Sequence, residues 1–397
     1  MSALTSTETT NGSLGSLRIV RIANFIAPTS GGLRTALREL GAGYRDAGHE
    51  PVLVLPGEYA GDEQTPQGRV ITLPGPLLPG TGGYRVLADR RKVGRLLEEL
   101  GADRLEVSDR TTLRWTGEWA RRARVPSVMV SHESVDGVLR TWGLPRGAAE
   151  RAADSLNRRT AHAFRKVVCT TDWAAREFER IGARNVVRAP LGVDLGRRHP
   201  ARRSGELREL YAGAGEVLLL LCSRLSPEKR PARALETLAE LRRRGVAARL
   251  LIAGDGPLRD RLERRAAAQG LPVRFLGHLR GSELAVHQAS ADVVLAPGPV
   301  ETFGLAALEA LASGTPVVAS ESSALPAVIG EGGEAVADSG VAFADGVQRL
   351  LDRPEAERRG AARNRAEGYG WPAAVDAFLA AHGARPRTRP AVLEGAA

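Results

Sequence analysis

Glu301-Thr-Phe-Gly-Leu-Ala-Ala-Leu-Glu309 sets two carboxylates eight positions apart around a Phe-Gly turn. An apolar strand, Asp292-Val-Val-Leu-Ala-Pro297, precedes it. The helix it opens runs to Ser313, ends at Gly314-Thr-Pro316, and leads into a second apolar strand, Val317-Val-Ala-Ser320. Strand, loop, helix and strand form one βαβ unit, and such units hold ligands at the carboxyl ends of their strands. Glu301 is therefore expected in the ligand loop and Glu309 along the following helix. Both can accept from hydroxyls, while the N–H groups of Phe303, Gly304 and Leu305, at the positive end of that helix, suit a phosphate. A ligand carrying hydroxyls and phosphate together, as a nucleotide-sugar does, fits this arrangement. The bland alternative makes Glu301 an electrostatic cap and Glu309 a solvated face residue.

The same alternation extends in both directions. In the first half, strands are predicted at 17–23, 51–55, 69–73, 104–107, 127–130 and 166–170, with helices at 33–48, 85–100 and 147–164. After a break at Ala189-Pro-Leu-Gly-Val-Asp194, a polar segment at 196–210 reads as a linker and first helix. The second half then gives strands at 216–222, 248–253, 273–276, 292–296 and 316–319, and helices at 231–244, 257–269, 281–290, 304–313 and 345–352. Short apolar strands separated by amphipathic helices indicate parallel sheets covered on both faces. The fold class is α/β, with two doubly wound, Rossmann-like domains of similar size facing a central cleft. The first spans 17–195 and the second 196–370, and a last helix occupies 371–383. Residues 1–16 and 384–397 read as disordered tails.

With 397 residues the chain is long enough for two ordinary domains. Its net charge of +10 is carried by arginine, since lysine occurs only at Lys92, Lys166 and Lys229. The excess suits anionic partners without choosing among them. Cys169 and Cys222 both end apolar runs, which reads as two buried thiols in a reducing, cytoplasmic setting. No apolar run approaches the roughly 18 residues of a membrane span.

Ser223-Arg-Leu-Ser-Pro-Glu-Lys229 follows the first strand of the second half. It places Arg224 and Lys229 where a leaving diphosphate needs neutralising, although cations near a helix start do nothing for the helix itself. Gly254 and Gly256 in Gly254-Asp-Gly-Pro257, and Leu276 in Phe275-Leu-Gly-His278, follow further strands where a nucleoside can approach the backbone. In the first half, Gly31 and Gly32 close the turn Pro28-Thr-Ser-Gly-Gly32, which is not a P-loop but can still present N–H groups to phosphate. His132 sits at a strand's carboxyl end, and a single histidine there is as well suited to structure as to catalysis. Glu106, Asp109 and Arg110 end another strand and are candidates for an acceptor pocket. No zinc-type Cys/His cluster, Asp-x-Asp, nucleophile elbow or complete dinucleotide fingerprint occurs, and no basic stripe interleaved with aromatics suggests nucleic acid.

Taken in order, Ser223–Lys229, Gly254–Pro257, Phe275–Gly277 and Glu301–Glu309 resemble the motifs of retaining glycosyltransferase family 4, which has the GT-B fold. The resemblance covers residue 17 to about 380. Asn24–Thr35, Glu106–Arg110, Ser131–Glu133, Val168–Thr171 and Ala296–Pro299 are similar to those of actinobacterial phosphatidylinositol-mannoside mannosyltransferases. The resemblance implies a metal-independent transfer of mannose from GDP-mannose to a lipid-linked hydroxyl by front-side displacement, at the inner face of the plasma membrane. It implies that Arg224 and Lys229 hold the diphosphate, Glu309 the ribose and Glu301 the sugar. His132 would meet the sugar from the first domain, Gly31 and Gly32 the phosphates, and the 371–383 helix would cross back to that domain. A soluble small-molecule acceptor with another donor remains a rival, as does a nucleotide-sugar-binding module without activity.

Overall fold

The computed structural model describes residues 15–26, 31–78 and 83–384. Nearly all of the two tails expected to be disordered, and positions 28–30 of the glycine-rich turn, lie outside the described residues. The first domain carries β1 (Arg18–Ile22), β2 (Glu50–Gly57), β3 (Gly61–Thr65), β4 (Gly68–Pro74), β5 (Arg104–Val107), β6 (Ser127–Ser131), β7 (Lys166–Cys169) and β8 (Val186–Arg188). They form an eight-stranded sheet in the order β3-β4-β2-β1-β5-β6-β7-β8. Only the β3–β4 pair is antiparallel. The second domain carries β9 (Val217–Cys222), β10 (Ala248–Ala253), β11 (Val273–Gly277), β12 (Val293–Ala296), β13 (Val317–Ser320) and β14 (Gly333–Val336). Its six strands run parallel in the order β11-β10-β9-β12-β13-β14.

The central strands read as unbroken apolar runs because helices cover both their faces. In β9, Leu218 to Leu221 are all fully buried. The helix Leu305–Ala312 is apolar apart from Glu309, with Ala307, Leu308, Ala310 and Leu311 buried.

The last helix, Trp371–His382, packs against the first domain's opening helix, Gly32–Asp46. A Cβ added at Gly43 would lie 2.2 Å from Val375 Cγ2, so only glycine admits this approach. The chain thus crosses between domains twice, and a β-bridge between Val193 and Gly370 joins the two crossings. One hydrophobic cluster runs from Leu40 and Tyr44 through Trp371 and Phe378 to Leu308 and Leu311.

Several boundaries differ from expectation. The helix expected from 85 starts at Arg90, because Asp89 caps it by accepting from the N–H groups of Arg91 and Lys92 while Arg85 bridges to Ile26 and Leu77. The helix expected at 345–352 starts at Gly340 behind the Ser339 cap. The edge strand β3 and the helix Glu355–Glu367 were not foreseen, since neither Gly-Asp-Glu-Gln-Thr nor a run so rich in Arg and Glu carries an apolar stripe. Among the described residues, no helix is long and apolar enough to cross a membrane.

Candidate functional site

In a doubly wound sheet the ligand crevice opens where the strand order reverses, outside the carboxyl ends of the two diverging strands. In the second domain that point lies between β9 and β12, and in the first between β1 and β5. The loop after β9 carries Arg224 and a single 3-10 turn, Pro227–Lys229. The loop after β12 carries Glu301 and ends at Gly304, which caps the Leu305–Ala312 helix. The loop after β1 leads to Gly31 and Gly32 at the head of the facing helix.

Lys229 and Glu301 form an ion pair whose side chains are 30% and 22% exposed, so the pair is accessible to a ligand. Burial works against the Lys229 ammonium, but the charge and hydrogen bond of Glu301 more than offset it, and its pKa lies above the ordinary lysine value. Arg224 reaches across the cleft, donating to the Tyr84 hydroxyl at 2.5 Å with its guanidinium 4.7 Å from the ring centroid. Gly304 has φ +84°, and a Cβ there would lie 2.3 Å from Leu325, so the turn requires glycine. The N–H groups of Phe303, Gly304 and Leu305 have no acceptor among the described residues. They remain available for an anion beside Lys229.

The domains touch at this loop. Thr302 Oγ1 donates to the His132 carbonyl at 2.6 Å, and Thr171 Oγ1 donates to the Thr302 carbonyl at 2.8 Å. A Cβ on Gly32 would lie 3.8 Å from Leu305 Cδ1. The backbone of His132 is thereby held against the 301–304 loop, while its ring contacts Ser108 Oγ at 3.1 Å. Burial, and to a lesser degree the nearby guanidinium groups of Arg21 and Arg110, pull the His132 pKa down to about 4, although Glu106 opposes them. The imidazole is neutral at physiological pH. Thr302, Thr171 and Tyr84 were not singled out from sequence, because a threonine or tyrosine in a loop has no periodic signature.

Glu309 sits deeper, with its side chain 17% exposed. It pairs with Arg198 at 3.2 Å and borders Gln288, neither of which the sequence flagged. Cys222, at the end of β9, lies in the same pocket, where burial and the Glu309 charge push its thiol up to about 12. Both cysteines are free and buried.

The remaining expected site residues have these surroundings. Gly254 and Gly256 need glycine for packing, since added Cβ atoms would lie 1.9 Å from Ser223 O and 2.6 Å from Leu225 O. Their close backbone neighbour is the 223–225 loop, which they brace from behind. Leu276 packs half-buried against the core. Glu106, Asp109 and Arg110, expected to line an acceptor pocket, are all 2% exposed or less. Glu106 accepts from Arg21 Nε at 2.8 Å and Tyr44 Oη at 2.7 Å, and meets His382 Nε2 at 3.0 Å. Asp109 accepts from the backbone N–H and hydroxyl of Thr111, and Arg110 pairs with Glu177 at 3.1 Å. A buried charge must be compensated internally, and these three are. They support the cleft wall from within and do not line it.

Residues 31–192 match the family described as Glycosyl transferase 4-like domain, and residues 208–367 the family described as Glycosyl transferases group 1. The chain is 49% identical over 371 residues to a GDP-mannose-dependent alpha-(1-6)-phosphatidylinositol dimannoside mannosyltransferase of Mycobacterium tuberculosis, covering 93% of this chain and 96% of the relative. It is 30% identical over 312 residues to a GDP-mannose-dependent alpha-mannosyltransferase of Mycolicibacterium smegmatis, covering 76% and 79%. Among solved structures, a sucrose-phosphate synthase from Thermosynechococcus elongatus superposes with a TM-score of 0.72 at 23% identity, over 90% of this chain and 96% of that one.

Proposed function

The chain belongs to glycosyltransferase family 4, with the two-domain GT-B fold, and on that premise we propose that it transfers mannose from GDP-mannose to a hydroxyl of a phosphatidylinositol-mannoside-type glycolipid, with retention and without a metal. The observation that carries the donor half is the convergence of Arg224, the Lys229–Glu301 pair and the N–H groups of residues 303–305 at the second domain's switch point. The activity named for the relative that matches 93% of the chain supports the mannosyl donor and the lipid acceptor.

In this reading the leaving diphosphate develops charge as the anomeric C–O bond breaks. Arg224, Lys229 and the helix N-terminus meet that charge without reorganising. The acceptor oxygen forms the new bond on the face the diphosphate leaves, and its proton passes to the departing phosphate oxygen, so no side chain needs to remove it. Glu301, already held by Lys229, accepts from sugar hydroxyls and fixes the ring. Neutral His132 offers a hydrogen bond from the opposite wall. The Thr302–His132 and Thr171–Thr302 bonds keep the two walls together, which limits water and hence donor hydrolysis. The exposed cations Arg90, Arg91, Lys92 and Arg95 on one helix support peripheral contact with an anionic membrane.

A panel of GDP-, UDP-, ADP- and dTDP-sugars, assayed with phosphatidylinositol-mannoside acceptors and with soluble alcohols, tests the reading. Transfer from GDP-mannose to the lipid is expected, unaffected by chelators. Preference for a UDP or dTDP donor would overturn the donor assignment, and turnover of soluble acceptors alone would overturn the lipid one. Co-sedimentation with anionic vesicles tests the membrane contact.

A further inference from the structure

Arg198 lies on neither sheet. It belongs to the segment that connects the domains, between the Val193–Gly370 bridge and the Gly205–Tyr211 helix. That segment is anchored at both its backbone and its side chain. The Arg198 N–H donates to Asp194 O at 2.9 Å, and Arg363 Nη1 donates to the carbonyls of Leu195, Arg198 and Ala312. The Arg198 side chain then turns inward, leaving the residue 7% exposed. A guanidinium buried to that extent needs a counter-charge. Among the described residues its one carboxylate partner is Glu309, at 3.2 Å from Nη2 to Oε1. Its Nη1 donates to Gln288 Oε1 at 2.9 Å. Gln288, itself fully buried, directs its amide nitrogen to Glu309 Oε2 at 3.5 Å and to Ala306 O at 3.4 Å.

Each oxygen of Glu309 therefore has one donor behind it, Arg198 on Oε1 and Gln288 on Oε2. A carboxylate offers about four acceptor sites, so the remaining lone pairs are left for two further donors. Two vicinal hydroxyls, as on a ribose, match that requirement. We propose that Arg198 is a positioning residue: from the interdomain linker it orients Glu309 to receive the vicinal hydroxyls of the donor's ribose. The proposal rests on the reading of Glu309 as the ribose ligand. It adds that this contact is set by a side chain outside the donor motifs, on the segment about which the domains are joined.

The test compares Kd for GDP and for 2′,3′-dideoxy-GDP, which lacks the hydroxyls, by titration calorimetry on the full chain. Wild type is expected to prefer GDP by about 10- to 100-fold, the worth of hydrogen bonds to a charged acceptor. Glu309→Gln should abolish most of that preference. Arg198→Met should abolish it too, Arg198→Lys should restore part of it, and Arg198→Met/Glu309→Gln should discriminate no less than Glu309→Gln alone. Dideoxy-GDP should bind all variants about equally, which a general loss of folding would not produce. If wild type shows no preference, the ribose reading of Glu309 falls and this proposal with it. If Glu309→Gln loses the preference while Arg198→Met keeps it, the positioning role alone is overturned. Should Arg198→Met not fold, the milder Arg198→Lys decides, and an undiminished preference in that variant would refute the dependence on guanidinium geometry.

Discussion

Replacing Glu106 with glutamine would remove a charge that three groups converge upon. Arg21 and Glu106 are register partners on adjacent strands β1 and β5, each with a side chain 1% exposed, and they meet at 2.8 Å. Tyr44 and His382 add contacts at 2.7 and 3.0 Å to the other oxygen. Glutamine has one acceptor oxygen and one amide nitrogen, so it must turn its N–H groups toward either Arg21 or the Tyr44–His382 side. Arg21 keeps its charge in either case. Breaking a buried pair by removing one partner costs about 3–5 kcal/mol. For a chain of this kind that corresponds to a loss in Tm of roughly 6–20 °C. Urea and thermal unfolding of wild type, Glu106→Gln and Arg21→Met/Glu106→Met provide the comparison. The double variant, with both charges gone, should recover most of the loss. The pH dependence has a definite sign. Although burial raises it, the Arg21 charge and the His382 contact hold the Glu106 pKa well below the ordinary 4.5. Its stabilisation is thus full above about pH 4.5 and is lost as pH falls toward the folded value. A Glu106→Gln variant within about 1 kcal/mol of wild type at pH 7, or a double variant worse than the single, would refute the argument.

Lys229→Ala removes a charge from the diphosphate site and the partner of Glu301, so kcat should fall about 100- to 1,000-fold in the transfer assay with little change in Tm. Thr302→Val deletes the bond to the His132 carbonyl and leaves that carbonyl unsatisfied; a stability loss of about 1–3 kcal/mol and faster donor hydrolysis relative to transfer are expected. His132, with its pKa pulled down to about 4, should give an NMR titration midpoint far below the ordinary 6.5. Because the unfolded chain binds that proton more readily, the histidine costs stability as pH falls from about 6.5 toward 4. Cys169 and Cys222, buried with thiols pushed up to about 12, should resist a disulfide-exchange reagent in the native state and both react on unfolding.

The alternation of strands and helices was legible because parallel strands covered on both faces must be apolar throughout, as Leu218–Leu221 are. The strand-end positions of Arg224, Lys229, Glu301 and His132 followed from that alternation alone. What escaped was set by contacts between residues far apart in sequence. Thr302 and His132 are 170 positions apart, and Arg198 and Gln288 are 90 apart. Neither pair leaves a periodic trace. Glu106 did leave one that was misread. A glutamate between Leu105 and Val107, and an arginine between Val20 and Ile22, each interrupt an apolar strand. Two opposite charges in neighbouring buried strands are better paired with each other than reserved for a ligand.

The return of the Trp371–His382 helix to the first domain also bears on how the chain comes to be made. Arg21, Tyr44 and Glu106 are synthesised well before His382, which completes their cluster. At ~5–20 residues per second, the interval between residue 195 and residue 382 is roughly 10–40 seconds. During that time the apolar face of the Gly32–Asp46 helix that Val375 and Phe378 cover has no partner from its own chain. The first domain is synthesised before the second but completed only after it, so the window in which it is exposed to aggregation or to chaperones is fixed by the translation time of the second.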